Sequence, residues 1–157
     1  MNFTIRAGTS ADAPEILALL PRLADFDLPQ HRTPEHLWHG DRSMIEQWAL
    51  GDRPEVDIAV AVNDALIVGI AVISAKQEIF SGEPSVHLET LAVGTNSQGY
   101  GIGAALMRET ETMASRRGAK SISLHVFSAN TRARALYERH GYCGELMRYY
   151  KPLNRQL

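Results

Sequence analysis

The stretch Val93-Gly94-Thr95-Asn96-Ser97-Gln98-Gly99-Tyr100-Gly101-Ile102-Gly103 joins an apolar, β-rich run to an amphipathic helical one. Glycines at such a junction can turn a row of backbone N–H groups toward a helix N-terminus. Those donors and the helix dipole suit a pyrophosphate, so the first expectation is a phosphorylated cofactor. The spacing is not the Gly-x-Gly-x-x-Gly of dinucleotide sites, and no Gly-Lys-Ser/Thr follows as in a nucleoside-triphosphate loop. Taken alone, the glycines equally permit tight packing of a helix on a strand. Glu89 is charged inside an otherwise apolar run. A carboxyl partly buried there would have a raised pKa and accept a proton near neutrality. Its alternatives are a solvated sheet face or a structural ion pair. Tyr137 carries a phenolic donor and can also be read as an aromatic anchor. His87 and His125 can relay protons, contact a substrate, or be satisfied structural histidines. His31, His36 and His39 lie near Asp41 but match no tight ligand spacing, so no metal is expected. Cys143 stands alone without an activating arrangement and reads as structural.

These residues need elements to hold them. Residues 3–7 predict a strand, and Thr9 to Asp12 offer N-caps for a helix reaching about Leu23. Ile16, Leu19, Leu20 and Leu23 form its apolar stripe. Residues 25–34 predict a polar loop. A second helix starts at Thr33-Pro34-Glu35, with Leu37, Asp41, Met44, Ile45 and Trp48 near one face, and stops at Gly51 to Pro54. Residues 56–62 and 66–75 are apolar strands, with Asn63-Asp64 as a hairpin turn. Residues 86–93 form the next strand, its alternation putting His87, Glu89, Leu91 and Val93 on one side. A helix over 101–118, a strand over 121–127, a helix over 130–140 and a terminal strand over 147–153 complete the series. The order β α α β β β α β α β predicts a mixed sheet covered by helices.

A chain of 157 residues fits one domain, 1–157, with a sizeable core. A net charge of -2 gives no bulk attraction to nucleic acid or to an anionic membrane. No stretch approaches the roughly 20 apolar residues of a membrane span. The N-terminus reads as a strand with no signal peptide, so a cytoplasmic location is expected.

Two further motifs give the glycine turn a context. Gln98-x-x-Gly101-x-Gly103 resembles the acyl-CoA signature of the GCN5-related N-acetyltransferase (GNAT) superfamily, Arg or Gln, two residues, Gly, one residue, then Gly or Ala. It follows a strand-like Leu88-Glu89-Thr90-Leu91-Ala92-Val93. Asn130-x-x-Ala133-x-x-Leu136-Tyr137-Glu138-x-x-Gly141-Tyr142 is similar to the superfamily's last-helix motif, and Tyr150-Lys151-Pro152-Leu153 resembles its closing strand.

The resemblance implies a single α/β domain with a mixed, mainly antiparallel sheet flanked by helices, its two central strands splayed apart. It implies acetyl-CoA as the acyl-donor cosubstrate. The backbone of Gln98, Gly99, Tyr100, Gly101, Ile102 and Gly103 would hold the pyrophosphate, with Gly101 and Gly103 allowing close approach. The pantetheine arm would lie against Leu91 and Val93. Asn130 would assist cofactor binding, its alternative being an N-cap. Arg132 and Arg134 would meet a terminal phosphate or be surface residues. Glu89 would be the base that frees the acceptor amine, and Tyr137 the acid that protonates the departing thiolate. The amide at or beside Val93 would polarise the thioester carbonyl. Asp27, Trp38, Asp41, His87 and His125 are candidate acceptor contacts, Trp38 and Trp48 being alternatively core anchors. The expected acceptor is a primary amine of a small molecule or peptide, attacked directly in a ternary complex. A compact terminal region makes a homodimer an expectation. The competing reading is a non-catalytic acyl-CoA-binding or interaction module of the same fold.

Overall fold

The computed structural model describes residues 1–153. Five strands form one sheet in the order β1-β2-β3-β4-β5: β1 is Thr4–Ala7, β2 Val56–Asn63, β3 Leu66–Gln77, β4 Pro84–Val93 and β5 Ser121–Leu124. The first three pairings are antiparallel and β4 with β5 is parallel. The result is the expected mixed, mainly antiparallel sheet flanked by helices. Asp64 and Ala65 both take positive φ between β2 and β3, as a two-residue turn matched to strand twist requires. The turn therefore lies one residue later than Asn63-Asp64.

Helix α1 (Ala13–Leu19) and α2 (Pro34–Ala49) cover one face of the sheet; α3 (Ile102–Arg116) covers the other, and α4 (Thr131–Arg139) follows β5. The single helix expected through Leu23 is broken into 3-10 turns at Ser10–Asp12 and Leu20–Ala24 around α1. Pro21 explains the second break: it has no N–H to give, and its ring would clash with the carbonyl of Leu17 in a continued α-helix. On the α3 face, Ala59, Ala61, Ala71, Ile73, Val86 and Leu88 pack against Ile102, Leu106 and Met107. The small residues there let α3 sit close. A Cβ on Gly69 would lie 2.8 Å from Ile102 Cγ2. On the opposite face Ile58, Val60, Ile70 and Val72 meet Ile16, Leu20 and Ile45, with Trp38 and Trp48 packed alongside.

Two features of β4 position the site. Val72 opposes Thr90 while Ile73 opposes Leu88, so Glu89 is an extra residue, a β-bulge. The bulge inverts the strand's alternation. Val86 and Leu88 point to the α3 face before it, and Leu91 and Val93 point there after it. The expectation that His87, Glu89, Leu91 and Val93 share a side is thereby corrected: His87, opposite Ser74, lies on the α1/α2 face. Second, the β4–β5 ladder ends at Leu88 and Leu124, five residues before β4 itself ends at Val93. The strand expected to reach 127 stops at Leu124, because β5 leaves its partner there. The parting of the two strands is the expected splay.

The terminal strand expected over 147–153 is absent. Residues 143–153 form no strand, and the described residues supply no partner for the outer edge of β5. Tyr150 turns instead toward the loop before α2, stacking on His31 at 4.7 Å with Arg32 4.5 Å from its ring centre. An alternating pattern predicts a strand only where a neighbouring edge is met, and here aromatic and cation–π contacts hold the chain elsewhere.

Candidate active site

The glycine stretch closes as its spacing suggested. Gly94 N–H donates to Val68 O, Thr95–Ser97 make one 3-10 turn, and Gly99 and Gly101 adopt φ of +81° and +80°. Side chains other than glycine rarely take that conformation. Gly101 is the N-cap of α3 and no side chain caps the helix. The N–H groups of Ile102, Gly103 and Ala104 precede the first intrahelical bond, from Ala105 N–H to Gly101 O at 3.0 Å, and so remain free to meet a ligand. Gly103 is less constrained: its φ is not left-handed, and a Cβ there would lie 3.4 Å from Leu136 Cδ2, an ordinary contact distance. Gln98 is tied to α4, its Oε1 accepting from Arg132 Nη1 at 2.5 Å. Asn130 caps α4, its Oδ1 accepting from Ala133 N–H at 3.2 Å. Arg134 is engaged at the surface by Ser128 O and Glu138. Tyr100 is exposed and Ile102 is buried in the core.

The gap between β4 and β5 opens below this turn. Because Gly94 N–H is bonded to β3, the two-residue alternation of an antiparallel ladder turns Ala92 and Thr90 toward β3, and Leu91 and Val93 away from it. The polar backbone of Leu91 and Val93 thus faces the gap, where β5 no longer pairs. Arg22 Nε donates to Val93 O at 3.1 Å and Arg22 Nη1 meets Asp25 at 2.8 Å.

Glu89 and Tyr137 approach the gap from opposite faces of the sheet. Tyr137 packs against the α3-side core, 6.1 Å from the Tyr142 ring. Burial pushes its phenol up to about 12, so it is a neutral donor at ordinary pH. Tyr142 is also raised to about 12 by burial, helped by the Glu111 charge and by Tyr137, and its hydroxyl is buried without a partner among the described residues.

Glu89 lies on the α1/α2 side. Its Oε1 accepts from the Ser74 hydroxyl and lies 2.9 Å from Lys76 Nζ. Burial raises the carboxyl, but the Ser74 and Lys76 hydrogen bonds and the His87 and Lys76 charges together hold it below the ordinary value. The expectation of a raised pKa is corrected on that ground. His87 is buried, its Nδ1 2.7 Å from Ser123 Oγ and its ring 4.7 Å from that of His125. Burial lowers its pKa; the Lys76 and His125 charges act in the same direction and Glu89 opposes them. Asp41, on α2, completes the cluster. Burial, opposed by Thr90 and helped to a smaller extent by the Glu89 charge, pushes it up to about 6.

Glu89, His87, His125 and Asp41 are therefore brought together. Asp27 is exposed in the loop before α2, and no contact joins it to the cluster. Trp38 packs in the α1/α2-side core, with Arg42 4.6 Å from its ring centre and a buried, unpartnered Nε1. His36 Nδ1 accepts from Thr33 N–H at the start of α2 and His31 stacks on Tyr150, which accounts for both locally. Ser74, Lys76, Ser123 and Arg22 are the residues that sequence reasoning missed. Lys76 and Ser74 carried a faint signal, polar residues closing an apolar strand, but naming them as partners of Glu89 required the register. Among the described residues no helix is long and apolar enough to cross a membrane.

An uncapped helix N-terminus above two parted parallel strands defines the class to which the chain's relatives belong. The acetyltransferase (GNAT) family profile matches residues 20–142, and the chain belongs to that family. A mycothiol acetyltransferase of Jonesia denitrificans is 33% identical over 114 residues, covering 71% of this chain and 35% of its own length. The chain thus spans about a third of that curated relative. Among solved structures, the ribosomal-protein-alanine N-acetyltransferase of Brucella melitensis biovar Abortus 2308 superposes with a TM-score of 0.71 at 19% identity, covering 97% of this chain and 100% of that one. An aminoglycoside acetyltransferase from an uncultured soil metagenomic sample gives 0.67 at 21% identity, covering 97% of each. A transcriptional regulator from Bacillus halodurans gives 0.70 at 22%, covering 96% and 100%. These likenesses show a shared fold; they do not choose among substrates.

Proposed function

We propose that the chain transfers an acetyl group from acetyl-CoA directly to a primary amine of a small molecule or peptide, within one domain and through a ternary complex. The observation that carries this reading is the gap between β4 and β5, lined by the backbone of Leu91 and by the Val93 N–H, and headed by the uncapped start of α3. The groups present fit acetyl-CoA. Left-handed Gly99 and Gly101 and the free amides of Ile102 to Ala104 suit its pyrophosphate, and Gln98 and Asn130 hold that turn against α4. The gap offers the pantetheine amides a strand edge. When bound, acetyl-CoA supplies the activated acyl carbon.

The Val93 N–H polarises the thioester oxygen. Tyr137 gives its phenolic proton to the departing sulfur, which its burial and raised pKa support. The Glu89 carboxylate, with Asp41 behind it, attracts the acceptor's ammonium group to the opposite side. A direct attack needs no acyl-enzyme, and exposed Cys143 has no part in it.

The Lys76–Glu89 pair favours a second reading, because an acceptor-side carboxylate held by an ammonium resembles a resting ion pair. In that reading the chain binds acyl-CoA without turnover. One experiment separates the two. CoA release from acetyl-CoA is followed across a panel of amines and peptides, with mass spectrometry of each product. An amine gaining one acetyl group supports transfer. Saturable acetyl-CoA binding with no acetylated product across the panel supports the binding module.

A further inference from the structure

A base is needed on the acceptor side, and the carboxylate there is already engaged by a hydroxyl and an ammonium. We propose that His87 takes the proton from the acceptor amine and that Ser123 carries it outward between the parted strands. This rests on the acetyl-transfer reading and assigns one of its steps.

The geometry is directional. His87 is buried and Ser123, 2.7 Å from its Nδ1, is exposed, so their bond leads from the interior to solvent. His87 and Ser123 are register partners, one pair before the ladder ends, which puts the bond at the root of the gap. The Nε2 atom has no protein partner and is not among the sealed, unpartnered polar atoms, so its lone pair is open to a ligand. The charged and titratable groups facing His87 are Glu89 on its own strand, Lys76 on β3 and His125 beyond β5, with Asp41 on α2 acting through Glu89. Burial, Lys76 and His125 outweigh Glu89 and keep the imidazole neutral, hence able to accept. In contrast, Glu89 is held below its ordinary value, which makes it the weaker base.

With the proton on Nδ1, the step balances. Nε2 accepts one proton of the ammonium, the Nδ1 proton passes to Ser123 Oγ, and the Ser123 hydroxyl gives its own proton to water. The freed nitrogen lone pair forms the bond to the acyl carbon, and the C–S bond breaks with its electron pair on sulfur. Tyr137 protonates that sulfur, and the second proton lost from nitrogen replaces the one Tyr137 gave. His87 is the catalytic residue here; Ser123 acts through it as a positioning residue.

The test uses the full chain and the amine found by the product screen. His87→Gln, Glu89→Gln and Ser123→Ala are compared with the unsubstituted protein in kcat and KM from pH 5 to 9, alongside acetyl-CoA Kd by calorimetry and melting by circular dichroism. His87→Gln is expected to lower kcat about 100-fold, with acetyl-CoA Kd unchanged. It also removes the acidic inflection of kcat, leaving a rate that climbs steadily with pH. Ser123→Ala, at an exposed position, keeps the fold while lowering kcat several-fold and shifting that inflection. Near-normal kcat in His87→Gln with collapse in Glu89→Gln overturns the relay and leaves acetyl transfer standing. An unmoved profile in Ser123→Ala overturns it too, even if His87→Gln fails to fold. No acetylated product from the unsubstituted protein removes the underlying reading and the relay with it.

Discussion

Arg22 Nε reaches Val93 O at 3.1 Å, joining residues 71 apart in the chain. The bond fixes the 3-10 turn after α1 to the end of β4, where the strand meets the glycine stretch. Arg22 thereby orients the peptide whose neighbouring N–H faces the gap. Arg22→Ala is expected to cost about 1 kcal/mol and roughly 2–4 °C in Tm, and to weaken acetyl-CoA binding several-fold. Calorimetric binding and a thermal melt check both; unchanged affinity would remove Arg22 from the site.

Tyr137→Phe keeps the ring that packs against the α3-side core and removes only the proton donor. The expected result is a fall in kcat of about 100-fold with little change in acetyl-CoA Kd. A normal kcat would transfer the acid role elsewhere, with neighbouring Tyr142 the first group to test. Two phenols raised to about 12 also predict a pH effect on stability. As pH rises above about 10 the unfolded chain ionises first, so stability falls until the folded pKa is passed. Denaturant melts between pH 9 and pH 11 read that slope.

Asp41 has the same sign at the acidic end. Its folded pKa of about 6 exceeds the unfolded value of 3.8, so the folded state keeps its proton longer. The stabilising advantage of protonated Asp41 is present below pH 4 and is lost as pH rises through 6. Asp41→Asn is therefore expected to stabilise the protein at pH 7 by about 3 kcal/mol and to change little at pH 4. Equal shifts at both pH values would show that the carboxyl's charge is not the cause.

Gly101 and Gly103 share a motif but differ in backbone conformation, left-handed only at Gly101. Gly101 has a left-handed φ with open space where a Cβ would stand, so Gly101→Ala strains the turn and is expected to weaken acetyl-CoA binding about tenfold. Gly103→Ala meets Leu136 Cδ2 at ordinary contact distance and is expected to fold with near-normal Tm. Equal loss of affinity in both would restore to Gly103 the phosphate-approach role inferred from its motif.

The sheet, the covering helices, the glycine turn and the cap of α4 were legible because each rests on a local signal: alternation, a 3.6-residue stripe, positive φ or a cap. Glu89 stood out as a charge among apolar neighbours. Its partners did not, because Ser74 and Lys76 are set by register. Alternation also misplaced His87, since a bulge adds a residue without changing the apolar pattern. The last strand failed for a related reason. Met147 and Tyr149 flank Arg148 and Tyr150 precedes Lys151, but such a run cannot say which edge, if any, will be met.

That unmet edge gives a further test. Leu146, Met147, Tyr149 and Leu153 are 67–88% exposed, and the outer backbone of β5 has no strand partner among the described residues. Such edges invite pairing, and a second copy covering this one is the expected arrangement. Light scattering should then report twice the 17.4 kDa chain mass; a single-chain mass at every concentration would exclude the dimer.

The bulge at Glu89 adds a residue to β4 without costing the strand its place in the sheet. With Glu89 deleted, Leu88 would still oppose Ile73 and Thr90 would still oppose Val72, so the pleat would run unbroken and Leu91 and Val93 would keep the α3 face. The ladder on either side of the bulge is thus complete without it. What the extra residue brings is a carboxylate beside Ser74 and Lys76 and a stronger local twist. A single-codon deletion there would take away the acidic group and leave the layers as they are. In β4 the polar site is an insertion into a sheet that could close without it.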